Sequence, residues 1–136
     1  PFCRWRIFSF RPISLIKSQL ILRMKKQHKK YCFALDLIND EALIQAYIEH
    51  HKEVWPEIIH QIKDTGVKAM EIYRVSDRLF MIIETTPEFS LLEKQIKDNS
   101  NSKVQEWETL MDKYQKPLPC AKQDEKWVLM EKIFKL

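Results

Sequence analysis

Hydrophobic and polar residues follow two different periods along the chain, and each change of period marks a new element. The segment from Tyr31 to Ile38 alternates with period two, which predicts a β-strand with one apolar face, formed by Phe33, Leu35 and Leu37. In the next segment the mostly apolar residues recur at helical spacing, which predicts an amphipathic helix. Its buried stripe would consist of Leu43, Ile44, Tyr47, Ile48, His51, Val54 and Trp55.

Capping and breaking residues give the limits of this helical segment. Asn39 or Asp40 can cap its start, because a short polar side chain accepts hydrogen bonds from the first free backbone N–H groups. Pro56 disfavours helical backbone at Trp55 but suits the first turn of a second helix. That second helix should end at Gly66, the only glycine of the chain.

The second half of the chain predicts a hairpin followed by a helical region. "KAMEIYRV" and "RLFMIIET" are two strands joined through Ser-Asp, which favours a tight antiparallel turn. "TPEFSLLEKQIKD" predicts a helix that begins at its proline and glutamate and buries Phe89, Leu92 and Ile96. "NSNS" interrupts it, and "KVQEWETLMDKY" continues as helix.

After a proline-containing loop, "KWVLMEKIFKL" predicts a closing strand with apolar residues at both parities. The order β-α-β-β-α-β is typical of the ferredoxin-like α+β plan, an antiparallel sheet with both helices on one face. Apolar residues on both faces of "RLFMIIET" and of the closing strand favour a second layer over the other face. This predicts a homodimer.

Length and charge narrow the function classes. The 136 residues suit one domain, and a single glycine argues against a glycine-rich phosphate loop. The net charge is +4, but residues 1–23 carry five basic side chains and no acid, so the rest holds 18 basic side chains against 19 acidic ones. We therefore expect no nucleic-acid partner, and no apolar run approaches the roughly 20 residues of a membrane span.

We predict that the basic segment 1–23 lies outside the fold and that the domain spans residues 24–136. The segment contains Arg and Ser and lacks acids, which fits a transit-like leader peptide. An upstream extension of translation that truly starts at Met24 is the other interpretation. Cys3, Cys32 and Cys120 are odd in number and form no CxxC, which predicts a reducing, cytoplasmic environment without a disulfide framework.

Tyr47 and His51 lie four residues apart, so a helix stacks them on one face. Aromatic residues at this spacing usually belong to a core. His50 and His51 point about 100° apart and cannot grip one metal ion. No acid or cysteine has metal-ligand spacing from His51, so we predict no metal.

Five stretches resemble motifs of one known family. They are "YIEHHKEVWPEI", "GVKAMEIYR", "LFMIIE", "VQEWETLM" and "MEKIFKL", and from Tyr31 to Leu136 the chain resembles the L-rhamnose mutarotase family. The resemblance implies a dimeric α+β barrel that interconverts the anomers of an L-sugar without a cofactor.

The resemblance also implies roles for individual residues. His51 is then the proton donor, and Tyr47 and Trp107 bind the sugar. Met70 and Glu108 occupy two further sugar-binding positions where the family has tyrosine and a second tryptophan. These two differences leave open whether the substrate is L-rhamnose or L-fucose.

The chemistry of mutarotation suits these residue types. Opening the sugar ring protonates the ring oxygen and removes the proton of the anomeric hydroxyl, and histidine titrates near neutral pH. Three acids could be the complementary polar group: Asp36, Glu49 and Glu108. Two other functions fit the same fold: a monooxygenase-like or haem-dependent enzyme, and a non-catalytic sugar-binding module.

Overall fold

A computed structural model describes residues 12–24 and 27–136, so Cys3 lies outside the described residues. Within these residues the helices are α1 (Ile13–Met24), α2 (Glu41–Lys52), α3 (Pro56–Asp64), α4 (Leu91–Ser100) and α5 (Ser102–Asp112). The strands are β1 (Lys29–Leu37), β2 (Val67–Val75), β3 (Arg78–Thr85), β4 (Gln115–Lys116) and β5 (Val128–Leu129).

The strands form one antiparallel sheet in the order β2-β3-β1-β4, and β5 also pairs with β1. Two interrupted helical segments connect the strands: α2 and α3 lie between β1 and β2, and α4 and α5 lie between β3 and β4. This is the strand order of the ferredoxin-like plan, and the α+β prediction is confirmed.

The main core lies between the helices and one face of the sheet. Phe33, Leu35 and Leu37 of β1 are all buried, as their alternation predicts. In register with them, Leu35 lies beside Leu79 and Phe33 beside Met81, so β1 and β3 offer one apolar surface to the helices. Tyr47, Trp107 and Met111 cover that surface from the helical side.

The predicted ends of α2 and α3 are confirmed. Asp40 caps α2, its Oδ1 accepting from the backbone N–H of Leu43 at 3.0 Å. Pro56 is in the first turn of α3. Gly66 follows α3 with φ +98°, and a Cβ there would lie 3.0 Å from Thr86 Oγ1. Glycine is therefore needed for backbone conformation and for space.

The predicted start of α4 is wrong. The helix begins at Leu91, because the Ser90 hydroxyl caps it by accepting from the Glu93 N–H at 3.3 Å. Phe89 is buried ahead of the helix, whereas Leu92 and Ile96 are exposed. A side-chain cap here outweighs proline as a start signal.

The predicted closing strand is also largely wrong. Only Val128 and Leu129 form β5, and the N–H of Met130 adds one more bond to the Cys32 carbonyl at 2.8 Å. Ile133 and Phe134 are 91% and 76% exposed. The part of β1 with which this segment would have to pair begins with two exposed lysines, Lys29 and Lys30.

Helix α1 crosses the predicted boundary, since it begins in segment 1–23 and ends at Met24, and its side chains at Ile13, Leu15 and Leu20 are exposed. The boundary at residue 24 stays a prediction. Among the described residues, no helix is both long enough and apolar enough to cross a bilayer.

Candidate active site

Tyr47 and His51 stack on the last turns of α2. Their ring centroids are 4.3 Å apart with planes inclined by 36°, as the four-residue spacing predicts. Tyr47 is only 3% exposed and belongs to the core, whereas His51 is half-buried at the edge of that core. The tyrosine ring thus covers one face of the imidazole, and the rest of the imidazole is available to a ligand.

The hydrogen bond of His51 determines which ring nitrogen is available for chemistry. Its Nδ1 lies 2.8 Å from the backbone carbonyl of Tyr47. A carbonyl can only accept, so Nδ1 must carry a proton. In the neutral ring Nε2 is then unprotonated, and Nε2 is the atom that can gain or release a proton.

Burial lowers the pKa of His51 below its ordinary value, and the nearby His50 acts in the same direction. The bond to the Tyr47 carbonyl opposes this effect without cancelling it. The imidazolium is therefore a stronger acid than a solvated one, although less of it is present at pH 7.

Trp107 of α5 faces His51 from the opposite helix. The two ring centroids are 5.7 Å apart and the planes meet at 70°. Trp107 is 7% exposed and also contacts Trp55 edge-on, with ring centroids 5.2 Å apart. Both predicted aromatic partners of His51 therefore touch it, although both are core residues in this structure.

A cavity of about 410 Å³ opens beside His51, between the helices and β2. Its size is within the range of small-ligand pockets, roughly 300–1,000 Å³. Met70 lines it with His51. The remaining wall is mostly apolar, with two lysines: Val54, Ile59, Ile62, Lys63, Val67, Lys68, Ala69 and Ile72.

Glu108 is not directed at this cavity but is part of an ion-pair cluster. Lys126 pairs with its carboxylate and with Asp112 Oδ1, the latter at 2.7 Å. Burial by itself would lower the pKa of Lys126, but hydrogen bonds to Asp112 and Glu108 raise it overall. The cluster ties the segment before β5 to α5.

The other two acids considered as partners of His51 are also engaged elsewhere. Asp36 receives two hydrogen bonds from Arg78, at 2.8 and 3.1 Å. Asp36 and Arg78 are in register on the sheet face opposite the core. Glu49 accepts from Gln45 and Lys52 on the exposed side of α2. None of these contacts brings a carboxylate to His51.

Two further contacts near the site could not be found from the sequence. His50 Nε2 lies 3.0 Å from the hydroxyl of Tyr114, 64 residues away, and the His50 ring meets Trp107 edge-on at 6.5 Å. The Gln115 side chain lowers the pKa of Tyr47. Neither pairing has a local sequence signal, because each joins a residue of α2 to the segment around the start of β4, which is more than 60 residues away in the chain.

The hydroxyl of Tyr47 is held in its neutral form. Burial raises the pKa of Tyr47 to about 12, the Gln115 side chain opposes this rise, and the charge of Glu108 adds to it. The tyrosine can therefore donate a hydrogen bond over the whole physiological range. In the part of the chain that the structure describes, no three His, Cys, Asp or Glu side chains group as metal ligands.

Comparison with known proteins gives consistent matches. A family model for L-rhamnose mutarotase matches residues 30–136. An L-fucose mutarotase of Xanthomonas campestris pv. campestris is 36% identical over 110 residues, covering 79% of this chain and 88% of the relative. A UPF0734 protein of Dictyostelium discoideum is 34% identical over 113 residues, covering 80% and 90%.

Two solved structures share the fold. An L-rhamnose mutarotase from Formosa agariphila superimposes with a TM-score of 0.60 at 22% identity, covering 79% of this chain and 98% of that one. Tetracenomycin F2 cyclase from Streptomyces glaucescens, a type-II polyketide cyclase, gives 0.52 at 18% identity, covering 79% and 96%. At these identities the likeness concerns the fold alone, and it joins two different chemistries.

Proposed function

This chain belongs to the L-rhamnose mutarotase family, and from that premise we propose that His51 transfers the proton when the ring of a 6-deoxy-L-sugar opens and closes. The chain is a carbohydrate anomer isomerase, a sugar mutarotase. The observation that carries the role of His51 is its position: the ring lines the cavity, and its Nδ1 is engaged by a backbone carbonyl.

The reaction needs two proton movements and no change of oxidation state. Nε2 of the His51 imidazolium donates its proton to the ring oxygen as the bond between C1 and that oxygen breaks, and a water molecule takes the proton of the anomeric hydroxyl, which becomes the aldehyde. The C1–C2 bond then rotates, and the reverse proton transfers close the ring on the other face. Because no electrons pass to or from an external group, we propose that the enzyme uses no cofactor. General acid–base catalysis of this kind typically contributes ~10²–10⁴-fold.

Tyr47, Trp107 and Met70 have positioning roles in this proposal. The neutral hydroxyl of Tyr47 can bond a sugar oxygen one helical turn from His51. The indole of Trp107 can cover the apolar C–H face of a sugar ring. Met70 lines the same cavity as His51, and its thioether side chain can contact the substrate without a strong hydrogen bond.

We keep Glu108 in the proposal with a changed role. Its carboxylate pairs with Lys126, so it shapes the site through the position of the segment before β5. Its direct contact with sugar, which the resemblance implies, would require that pair to open. This makes Glu108 the weakest of the five proposed site residues.

For the substrate we propose L-rhamnose first and L-fucose as its rival. The matched family supports the first sugar and the 36% identical relative supports the second. Exchange NMR on the anomeric protons of both sugars tests the proposal. We expect the protein to accelerate anomer exchange of one sugar much more than of the other. If it accelerates neither, the proposed activity is wrong.

We also propose that the enzyme is a cytoplasmic homodimer. The sheet face opposite the core exposes Tyr73, Val75 and Met130, and the apolar tail beyond β5 is uncovered. Exposed apolar side chains on one face of a sheet are typical of an interface. Cys32 and Cys120 are free thiols, which supports a reducing compartment.

A further inference from the structure

The polar groups in the wall of the cavity beside His51 are of one kind. Three titratable side chains line the cavity, His51, Lys63 and Lys68, and in the described part of the chain no carboxylate joins them. A lysine ammonium group has three N–H donors and no acceptor. The wall therefore offers the substrate positive charge, and the polar group that complements His51 is a cation and not an acid.

Lys68 lies at an irregularity in β2. Val67 is in register with Thr85 of β3, and Ala69 is in register with the next residue along β3, Glu84, so Lys68 is an extra residue without a partner there. Four successive residues of β2, beginning with Val67, line the cavity, whereas a regular strand presents every second residue to one face. A β-bulge re-aims side chains in this way, and bulges are over-represented next to active sites.

The charge of Lys68 has no evident role in folding. Its side chain is exposed, and among the described residues it forms no ion pair, unlike Lys94 and Lys126, which pair with carboxylates. Lys63 differs from it, because Lys63 lies in the last turn of α3, where a positive charge is favourable beside the free carbonyl groups of the helix end. Of the two lysines in the wall, Lys68 is thus the one that the fold does not explain.

We propose that the ammonium group of Lys68 contacts the anomeric oxygen of the bound sugar and stabilises the negative charge that develops there during ring opening. The inference rests on the proposed function and adds a catalytic residue to it. When water takes the proton of the anomeric hydroxyl, its oxygen carries partial negative charge until the aldehyde has formed, and a nearby positive charge favours that state. Lys68 keeps its own proton throughout, and in the return step it polarises the aldehyde carbonyl as the ring oxygen attacks C1.

Lys68→Met tests this role, because it removes the charge and keeps an unbranched side chain. One donor of an oxyanion hole typically contributes ~10²–10³-fold to kcat, and because water screens an exposed lysine we expect a smaller loss of about 10-fold. KM should change little, since the interaction strengthens only in the transition state. The melting temperature should stay the same, because the side chain is exposed. Exchange NMR at a series of sugar concentrations gives both kinetic constants.

Four further variants separate charge from shape and position. Lys68→Arg keeps the positive charge and should retain most of kcat. Lys68→Gln is neutral and polar, should lose as much as Lys68→Met, and serves if methionine impairs folding. Lys63→Met should lose less kcat than Lys68→Met. Lys97→Met is the matched control and should leave kcat unchanged, because Lys97 is an exposed lysine on α4 that does not line this cavity.

An unchanged kcat in the folded neutral variants would overturn the inference, and so would a rise in KM alone, because Lys68 would then only bind the ground state. Equal losses in Lys68→Arg and Lys68→Met would also overturn it, since the charge would not be responsible. A larger loss of kcat in Lys63→Met would assign the role to the other lysine. In all these cases wild-type exchange activity would leave the proposed function standing. A wild type that accelerates neither parent sugar would refute the proposed function and this inference together.

Discussion

Replacing His51 by asparagine separates its chemistry from its structural bond. The amide nitrogen of asparagine can occupy the place of Nδ1 and donate to the Tyr47 carbonyl, which the histidine reaches at 2.8 Å. Asparagine has no atom that exchanges a proton near neutral pH. The variant should therefore keep the end of α2 intact and lose only the function of Nε2.

The two expected effects differ in size. Loss of general acid–base catalysis should lower the catalysed exchange rate by ~10²–10⁴-fold, which is about 2.7–5.5 kcal/mol of transition-state stabilisation. The hydrogen bond to the helix carbonyl contributes only about 0.5–1.5 kcal/mol to folding, and asparagine should retain most of it. Activity should therefore fall while the melting temperature changes by a few degrees at most.

The assay is saturation-transfer NMR between the two anomeric protons, with the uncatalysed rate in the same buffer subtracted. His60→Asn is the surface control, because His60 is exposed and pairs with Asp64 on the same helix at 3.5 Å. His50→Asn is the more demanding control. It breaks the bond to Tyr114 and should lower stability, yet we expect it to keep most of the exchange activity.

The outcomes discriminate between the adjacent histidines. Helix geometry predicts that His50 points about 100° away from His51, but in the structure both rings contact Trp107. An inactive His50→Asn variant together with an active His51→Asn variant would show that His50, and not His51, transfers the proton. Full activity in both variants would remove acid–base catalysis from this end of α2.

Three other predictions follow from the site and the fold. Because His51 donates a proton, the exchange rate should fall as pH rises through the lowered pKa of His51, and a pH–rate profile should show a midpoint below 6.5. Folding stability should fall as pH drops below 6.5, because the folded state disfavours the charged ring. A midpoint above 6.5 in the pH–rate profile would contradict a pKa lowered by burial. A chain that begins at Met24 should melt at an unchanged temperature in calorimetry, whereas a fall of several degrees would show that residues 1–23 pack on the domain, since ~1 kcal/mol corresponds to about 2–8 °C here. Analytical ultracentrifugation at micromolar concentration should give the mass of two chains, and a single-chain mass would refute the dimer.

The helix limits around the site could be predicted because they depend on local chemistry. Asp40 caps, Pro56 starts a helix and Gly66 adopts a positive φ, and each effect acts within a few residues. The stacking of Tyr47 on His51 is of the same kind, since helix geometry alone places residues four apart in contact. Local rules therefore predicted the part of the site that lies on α2.

The rest depends on contacts between distant segments, where periodicity carries no information. The pairing of His50 with Tyr114 and of Glu108 with Lys126 arises when β4 and the segment before β5 fold back over the helices. The closing strand was overpredicted for a related reason. Its alternation is compatible with a strand, but a strand also needs a neighbour that buries it, and Ile133 is 91% exposed.

The aromatic residues beside His51 show why a core interpretation and a functional one need not compete. Tyr47 and Trp107 are 3% and 7% exposed, so both stabilise the fold, and both also touch the imidazole. Removing either to alanine would cost about 3–5 kcal/mol of folding stability, which is a large part of what a small domain has. Loss of activity in such a variant would say nothing about sugar binding. Only substitutions that keep the packed ring, such as Tyr47→Phe, can measure the contribution of the hydroxyl separately from that of the core.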